Sequence, residues 1–379
     1  MIGGSNKKVL ACSVRLIFLA FLLLQSACVA VDVRALFNSK VAVLENTAFK
    51  NSDAKPVAQR WLFLGDSITQ AGAYVDIIEA TLLLSERQAP EIIDLGLMSE
   101  TVSGLSEPDH PFPRPYLHNR LTALLEQVQA DRVFACYGMN DAIYAPFSDA
   151  NFAAYQRGIK QLIKTVQASG ASLTLITPPP YARLVQAMPE SKTKRKGEDD
   201  VENVDKDVDK NMDNNMDNNS AAQHYSYKAA FKYYDQVLAR YAYWLLSMED
   251  EADITVIDIR PELTKLMTQS YTVDPIHPNT FGHNIIAKAI LQSLTYDGVT
   301  SSKAINDIAI SNVENYDSLW IKLLALVRQQ RKAYDWVLLN DIGHGNPFVA
   351  KAERVTLTEA EIKAADINDD IERLLNTVN

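Results

Sequence analysis

The chain has 379 residues, of which 47% are hydrophobic and 22% are charged, and its formal net charge is −10 at pH 7. This length suits one large or two modest domains, and the hydrophobic content is ordinary for a globular protein. The acidic balance argues against a nucleic-acid-binding protein, because such a protein needs a basic face to neutralise phosphates.

The first 30 residues have the pattern of a secretory signal peptide. Basic residues precede an unbroken apolar run at 16–24, and small residues follow in QSACVA at 25–30. The run is too short to cross a bilayer comfortably as a permanent helix, and the pattern predicts cleavage after Ala30. We therefore expect an exported protein that is periplasmic, extracellular or held at the cell envelope.

A lipoprotein signal is the alternative interpretation of the same segment. Cys28 would then become the lipidated first residue and attach the protein to a membrane, although Gln25 occupies a position where such signals normally have an aliphatic residue. Because Cys12 and Cys28 both lie in the targeting segment, Cys136 has no cysteine partner for an internal disulfide. Its position inside the apolar run VFACY predicts a buried, inert thiol.

From about residue 60 to residue 294, short β-rich runs alternate with longer segments of helical spacing. The predicted strands are 61–64, 91–95, 132–137, 172–177 and 253–258. The predicted helices are 73–85, 117–129, 151–168, 225–247 and 279–294. Apolar strands separated by helices predict a parallel sheet of about five strands with helices on both faces. The active site of such a sheet is expected at the carboxyl ends of its strands.

One segment interrupts this alternation. Residues 189–223 contain ten acidic and six basic residues but no aromatic residue, and this composition predicts a disordered insertion. A calcium-binding loop starting at Asp205 would require Gly and Glu at the places that Lys210 and Met216 occupy. A solvated charge run is therefore the preferred interpretation of the segment.

The strand–helix alternation stops at about residue 299. Helices are predicted at 316–339, which carries a stripe of Trp and Leu, and at 358–376, where Thr358 is the expected N-cap with Glu361 three residues later. A stripe of this kind is typical of a buried face. Residues 299–379 are therefore expected to form a C-terminal helical extension that packs on the main domain.

The stretch WLFLGDSIT at 61–69 places Ser67 at the end of the first predicted strand. A serine at this place can act as a nucleophile if a base and an orienting carboxylate are near it. Of the histidines, His277 has the most suitable context, since Asp274 precedes it by three residues on a segment stiffened by prolines. In the alternative interpretation, Asp274 caps a turn and His277 is a surface residue.

Acyl transfer also requires hydrogen-bond donors for the oxyanion that develops. Asn140, in GMND after the strand at 132–137, offers a side-chain NH₂ group. A backbone N–H of the loop 94–105 and that of Ser67 would complete a set of three donors. The alternative for Asn140 is ordinary turn chemistry.

These residues together resemble the GDSL-type, or SGNH, hydrolases. The resemblance spans residues 61–283 and rests on four blocks in the family's order, Gly65-Asp66-Ser67, Ser99-Glu100-Thr101, Gly138-Met139-Asn140-Asp141 and Asp274-Pro275-Ile276-His277. An α/β-hydrolase would need a second glycine two residues after the serine, where this chain has Thr69.

The resemblance implies a three-layer α/β/α, flavodoxin-like fold and an esterase with Ser67, His277 and Asp274 as its catalytic triad. It implies that the N–H groups of Ser67 and Ser99 and the amide of Asn140 form the oxyanion hole. Ser99 stands where the family usually has glycine, and a non-glycine residue restricts the φ angle. Gly96 and Gly104 are nearby alternatives to Ser99 that we rank lower. Neither a metal nor an organic cofactor is implied.

The expected organisation is a signal peptide at 1–30, an N-terminal segment at 31–58, a hydrolase domain at 59–298 and the extension at 299–379. The expected substrates are small-molecule or carbohydrate esters. Acetyl esters of carbohydrates are the preferred hypothesis, because small turn residues around the motifs indicate an open cleft. Two alternatives are a non-catalytic glycan-binding envelope protein on the same scaffold, and a lipase or lysophospholipase of the same family.

Overall fold

The computed structural model describes residues 59–85, 89–182, 224–252, 254–265, 271–296, 318–349 and 355–377. These residues belong to one compact unit, which extends from Ala58 to Asn379. The predicted signal peptide, the segment 31–58 and the insertion 189–223 lie outside the described residues.

Five parallel strands form one sheet in the order β2-β1-β3-β4-β5. The strands are β1 (Arg60–Gly65), β2 (Glu91–Asp94), β3 (Arg132–Cys136), β4 (Ser172–Ile176) and β5 (Thr255–Ile257). Because β2 lies on one side of β1 and β3 on the other, the direction of winding reverses between β1 and β3. Open α/β sheets bind ligands at this kind of switch point, and Ser67 and Asn140 follow these two strands.

Helices cover both faces of the sheet. They are α1 (Ser67–Gln70), α2 (Ala73–Ser85), α3 (Leu121–Val128), α4 (Asp149–Ser169), α5 (Tyr234–Ala252), α6 (Arg260–Thr264), α7 (Thr280–Tyr296), α8 (Ser318–Ile342) and α9 (Leu357–Leu375). Alternate residues of β1 enter different cores: Leu62 and Leu64 pack with α3, α4 and α5, whereas Trp61 and Phe63 pack with α2, α7 and α8. The predicted three-layer α/β/α fold is confirmed.

One predicted helix begins later than its sequence pattern indicates. The helix expected at 225–247 is α5, which starts at Tyr234. Residues 224–233 are irregular, and Phe231 donates its backbone N–H to the carbonyl oxygen of Tyr144 at 2.8 Å. This tertiary contact joins the segment to the loop after β3. The segment is therefore irregular, although its local sequence pattern predicts a helix.

A second predicted helix, at 117–129, is divided at Arg120 into a 3₁₀ turn, Leu117–Asn119, and the helix α3. The buried guanidinium of Arg120 makes two hydrogen bonds of 2.7 Å to the carboxylate of Glu100, which is also buried. The chain therefore bends where this side chain turns inward to hold the loop after β2.

The N-cap of the last helix, α9, is Thr356, two residues before the predicted N-cap Thr358. Oγ1 of Thr356 accepts the N–H of Glu359 at 3.2 Å, and the Glu359 carboxylate accepts the N–H of Thr356 at 2.8 Å, which completes a capping box. The same Thr-x-x-Glu motif recurs at Thr358 and Glu361. Because the two motifs overlap, the local pattern alone does not distinguish them.

The C-terminal helices are part of the core beside α2 and α7. Trp320, Leu323 and Val327 of α8 are buried there, together with Ile367 and Ile371 of α9. The predicted packing of the C-terminal helices on the main domain occurs through these side chains. None of the described helices combines the length and the apolar composition that a membrane crossing requires.

Arg331 of α8 is the centre of a buried ionic group, which we call the Arg331 cluster. Its guanidinium lies 2.6 Å from a carboxylate oxygen of Asp76, 2.8 Å from Glu79 and 3.3 Å from Asp335. Asp335 also accepts the backbone N–H of Asp94, the last residue of β2, at 2.8 Å. Burial raises the pKa of Glu79 and that of Asp94 to about 7 each. The cluster thus links α8 to both α2 and the sheet.

Candidate active site

Ser67 lies directly after β1, as the first residue of α1. Asp66 caps this helix, since its Oδ1 accepts the N–H of Ile68 at 2.9 Å, and burial raises the pKa of its carboxyl group to about 6. A Cβ atom on Gly65 would lie 2.1 Å from Oγ1 of Thr69, so only glycine fits this turn. Gly-Asp-Ser therefore ends the strand and starts the helix with a serine at the carboxyl edge of the sheet.

His277 contacts both Ser67 and Asp274. Its Nε2 lies 2.8 Å from Oγ of Ser67, and its Nδ1 lies 2.7 Å from Oδ2 of Asp274. The loop that carries His277 is closed by two backbone hydrogen bonds, from Val273 to His277 (2.9 Å) and from Asn279 to Tyr271 (2.8 Å). This loop brings a serine and a histidine 210 positions apart into one hydrogen-bonded chain.

The pKa of Asp274 lies below its ordinary value of 3.8. Burial alone would raise this pKa, but hydrogen bonds from the His277 ring and from the backbone N–H groups of His277 (2.8 Å) and Ile276 (2.7 Å) outweigh burial. The carboxylate is therefore ionised at neutral pH. It favours the His277 tautomer that carries the proton on Nδ1, and this leaves Nε2 free to accept the proton of Ser67.

Asn140 follows β3, and its amide is held at both ends. The hydroxyl of Tyr144 donates to Oδ1 of Asn140 at 2.8 Å, and Nδ2 of Asn140 donates to the carbonyl oxygen of Glu100 at 3.2 Å. The Glu100 carbonyl oxygen can only accept, so its contact fixes which end of the amide is the NH₂ group. An NH₂ group has two hydrogens, so one remains for a ligand in the cavity that Asn140 lines with Ser67.

Ser99 adopts the left-handed backbone conformation, with φ at 66°. Its hydroxyl lies 3.2 Å from Nε2 of His110, and its carbonyl oxygen accepts a hydrogen bond from Arg114 at 3.3 Å. These contacts hold a non-glycine residue in a region that usually requires glycine. No described residue accepts a hydrogen bond from the backbone N–H of Ser67 or Ser99, so both groups are available as donors.

The loop that carries Ser99 is anchored by two further contacts. Arg114 forms two hydrogen bonds of 2.6 Å with the buried carboxylate of Glu107. Asp141 accepts the N–H groups of Val102 (2.9 Å) and Ser103 (2.8 Å), and burial raises the pKa of its carboxyl group to about 6. Sequence reasoning missed these roles, because nothing in the spacing of the residues indicates that they meet.

The predicted site residues lie together. Ser67, Ser99, Asn140 and His277 line one open cavity of about 260 Å³, and Asp274 contacts His277. The other lining residues are Met98, His110, Pro111, Phe112, Arg114, Tyr144, Tyr227, Ile276 and Phe348. Sequence reasoning did not find these, because they come from loops far apart in the chain. Within the described part of the chain, no group of three or more His, Cys, Asp or Glu side chains is placed to hold a metal ion.

The fold and the arrangement at its carboxyl edge are those expected for a hydrolase of the SGNH class. Residues 62–290, more than half of the chain, match the model of the GDSL-like lipase/acylhydrolase family. The chain belongs to this family, and it is a hydrolase of ester bonds.

Solved structures with similar folds have low sequence identity to this chain. A catalytic mutant of Axe2, an acetylxylan esterase from Geobacillus stearothermophilus, has 15% identity and a TM-score of 0.43, with 63% of this chain and 96% of that chain covered. BT4096, a gut microbial diltiazem-metabolizing enzyme, has 14% identity and a TM-score of 0.43, with 64% of this chain and 48% of that chain covered. A comparison with curated proteins finds no match. The family assignment therefore rests on the match over residues 62–290.

Proposed function

We propose that the chain is an exported serine esterase that hydrolyses carboxylic esters through an acyl-enzyme. The observation that carries this proposal is the pair of contacts made by His277, 2.8 Å to Ser67 and 2.7 Å to Asp274. Both distances lie within the range over which a positioned base removes a proton. They support Ser67 as the nucleophile, His277 as the general base and Asp274 as the group that orients the imidazole.

In the proposed reaction, Oγ of Ser67 attacks the carbonyl carbon of the ester while Nε2 of His277 takes the hydroxyl proton. Asp274 stabilises the imidazolium that forms. The same proton then passes from His277 to the oxygen of the leaving alcohol, and an acyl group remains on Ser67. Water then attacks the acyl-enzyme while His277 takes a proton from it, and His277 returns this proton to Oγ of Ser67 as the bond to the acyl group breaks and the acid is released.

The oxyanion of each tetrahedral intermediate would be held by the N–H groups of Ser67 and Ser99 and by Nδ2 of Asn140. The available N–H groups support the two backbone donors, and the hydrogen bond from Nδ2 of Asn140 to the Glu100 carbonyl oxygen, which orients the amide, supports the side-chain donor. Preorganised donors of this kind stabilise a transition state by about 3–4 kcal/mol each. The left-handed conformation of Ser99 supports its assignment to the place where the family usually has glycine.

We expect the acyl group to be small and the preferred substrates to be acetyl esters of carbohydrates. The cavity beside Ser67 has a volume of about 260 Å³, which lies below the range of pockets that enclose drug-sized ligands. The charge of Arg114, which lines this cavity, is balanced by the buried Glu107. A small cavity with balanced charge supports a neutral ester with a short acyl group.

If the acyl group is short, as proposed, the purified enzyme is expected to hydrolyse 4-nitrophenyl acetate with a kcat/KM at least about tenfold above that for 4-nitrophenyl octanoate. Both esters release the same alcohol, so the ratio reports the acyl group alone. An equal or higher kcat/KM on the octanoate would contradict this preference and favour the lipase alternative.

A serine-directed phosphonate is expected to form a covalent adduct on Ser67 and to abolish hydrolysis of 4-nitrophenyl acetate. Mass spectrometry of the labelled peptide locates the adduct. The Ser67→Ala variant should remain unlabelled, whereas Ser172→Ala, which alters an exposed serine on β4, should be labelled like the wild type. A folded wild-type protein that is neither labelled nor active would overturn the proposal and favour the non-catalytic glycan-binding alternative.

Export is part of the proposal and is supported by the sequence of residues 1–30 alone. The mass of the mature N-terminus distinguishes cleavage after Ala30 from a lipidated Cys28. A protein that retains Met1 after expression in a secreting host would contradict both cleavage after Ala30 and lipidation of Cys28.

A further inference from the structure

One wall of the cavity beside Ser67 is aromatic, and it is assembled from three separate segments of the chain. We call His110, Phe112, Tyr227 and Phe348 the aromatic wall; all four line the cavity. The ring centroids of Phe112 and Phe348 are 5.0 Å apart, those of His110 and Phe112 are 4.5 Å apart, and those of His110 and Tyr227 are 5.8 Å apart. The four rings therefore form a continuous row.

Phe348 comes from the segment 343–349 that follows α8, and it lies outside the region that matches the family model. Its position is held by Asn346, which is only 3% exposed. The amide nitrogen of Asn346 donates to the carbonyl oxygen of Met98 at 2.7 Å, and its amide oxygen accepts the N–H of Phe348 at 2.9 Å. Met98 directly precedes Ser99, so this segment is tied to the loop that lines the cavity.

The Phe348 side chain is 62% exposed although the backbone that carries it is anchored on both sides. Val349, the next residue, is buried in the core. A ligand that covers such an exposed apolar side chain removes apolar surface from water, and this burial stabilises the complex. Its place at the cavity makes the substrate the candidate for that ligand.

The described residues that line the cavity carry no unbalanced positive charge, and Lys228 lies outside this lining, with its Nζ 5.3 Å from the ring centroid of Tyr227. Arg114, which also lines the cavity, is paired with Glu107. Burial lowers the pKa of His110 below its ordinary value, so this ring is neutral at pH 7. The wall therefore suits a neutral ring with an apolar face rather than an anionic group.

We propose that the aromatic wall binds the sugar ring on the alcohol side of the ester, and that Phe348 determines specificity for it. This inference rests on the proposed function. Because an acetyl group occupies only a small part of the cavity, the remaining lining contacts the alcohol. The C–H face of a pyranose ring packs on an aromatic face by dispersion and hydrophobic contact.

The test compares three acetyl esters that differ only in the alcohol: ethyl acetate, phenyl acetate and an acetylated methyl glucoside. Phe348→Ala is expected to raise KM for the glucoside ester about tenfold, with kcat within about twofold, and to change KM for ethyl acetate much less. Phe348→Trp should restore the KM for the glucoside ester. Ile362→Ala, which removes an exposed apolar side chain from α9, should leave all three esters unaffected.

The outcomes separate this inference from the proposed function. If the wild type hydrolyses none of the three esters, the proposed function fails. If the wild type is active and Phe348→Ala changes KM for the three esters equally, the sugar-binding role of the wall fails alone. A larger KM change for phenyl acetate than for the glucoside ester would assign the wall to aryl alcohols and overturn the sugar assignment.

Discussion

Replacing Asp274 with asparagine is expected to lower kcat for 4-nitrophenyl acetate by about 10²–10⁴-fold. The asparagine oxygen can still accept the backbone N–H groups of Ile276 and His277, which Oδ1 accepts now at 2.7 and 2.8 Å. The loop should therefore keep its shape. The new NH₂ group, however, cannot accept a proton from Nδ1 of His277, so the imidazole changes to the tautomer that carries its proton on Nε2. That tautomer cannot take the proton of Ser67.

The measurement combines steady-state kinetics with thermal unfolding. Because the Asp274 side chain is 45% exposed, the variant should unfold within a few degrees of the wild type. Glu262→Gln is the matched control and should keep wild-type kcat. It neutralises another exposed carboxylate, on α6, which pairs with Lys265 just after that helix. A folded Asp274→Asn variant with more than a tenth of wild-type kcat would remove Asp274 from the proposed mechanism.

Replacing Arg331 with methionine is expected to destabilise the fold by about 3–5 kcal/mol, because it leaves buried carboxylates without their cation. Asp76, Glu79 and Asp335 all contact this guanidinium and are almost completely buried. Methionine has a similar length, so lost packing contributes little. Urea unfolding at pH 8 measures the loss. Arg328→Met is the matched control on the same helix. Arg328 is 49% exposed, and its one ion pair among the described residues is with Asp76 at 3.0 Å, so its removal should cost less than about 1 kcal/mol.

The effect of Arg331→Met should depend on pH. The folded protein keeps protons on Glu79 and Asp94 up to about pH 7, whereas the unfolded chain releases them near pH 4. These two groups therefore make the wild-type free energy of unfolding fall as pH rises from about 4 to about 7. Removing the cation destabilises these carboxyl groups further when they are ionised. The decrease in the free energy of unfolding from wild type to Arg331→Met should therefore be larger at pH 8 than at pH 5. An equal loss at both pH values would exclude an electrostatic role for Arg331.

The parts of the fold that the sequence predicts are those specified by local patterns. Each of the five strands is a short, largely apolar run, and its alternation with longer segments of helical spacing predicts a strand there. Ser67, Asn140, Asp274 and His277 could be placed at the same edge because each follows a strand or precedes a helix. Their actual contacts required the three-dimensional structure, since a pattern predicts the edge of the sheet but no distance.

The features that sequence reasoning missed depend on side chains that are distant in the chain. Arg120 interrupts a helix because Glu100 lies beside it, and Phe231 delays another helix because Tyr144 accepts its N–H. The left-handed conformation of Ser99 depends in the same way on contacts from another part of the loop. A tertiary partner decides the local structure at each of these places, and no propensity of the residue itself predicts it.

Asn346 and Arg331 have a practical consequence for laboratory work on this enzyme. A recombinant chain trimmed to the matched region 62–290 would lack Arg331, which neutralises Asp76 and Glu79, and would uncover the apolar surface on which α8 rests. It would also lack the amide that joins the C-terminal segment to Met98. Expression, crystallisation and substrate screening should therefore use a polypeptide that continues through α9, because the customary family boundary cuts through the interior of this protein.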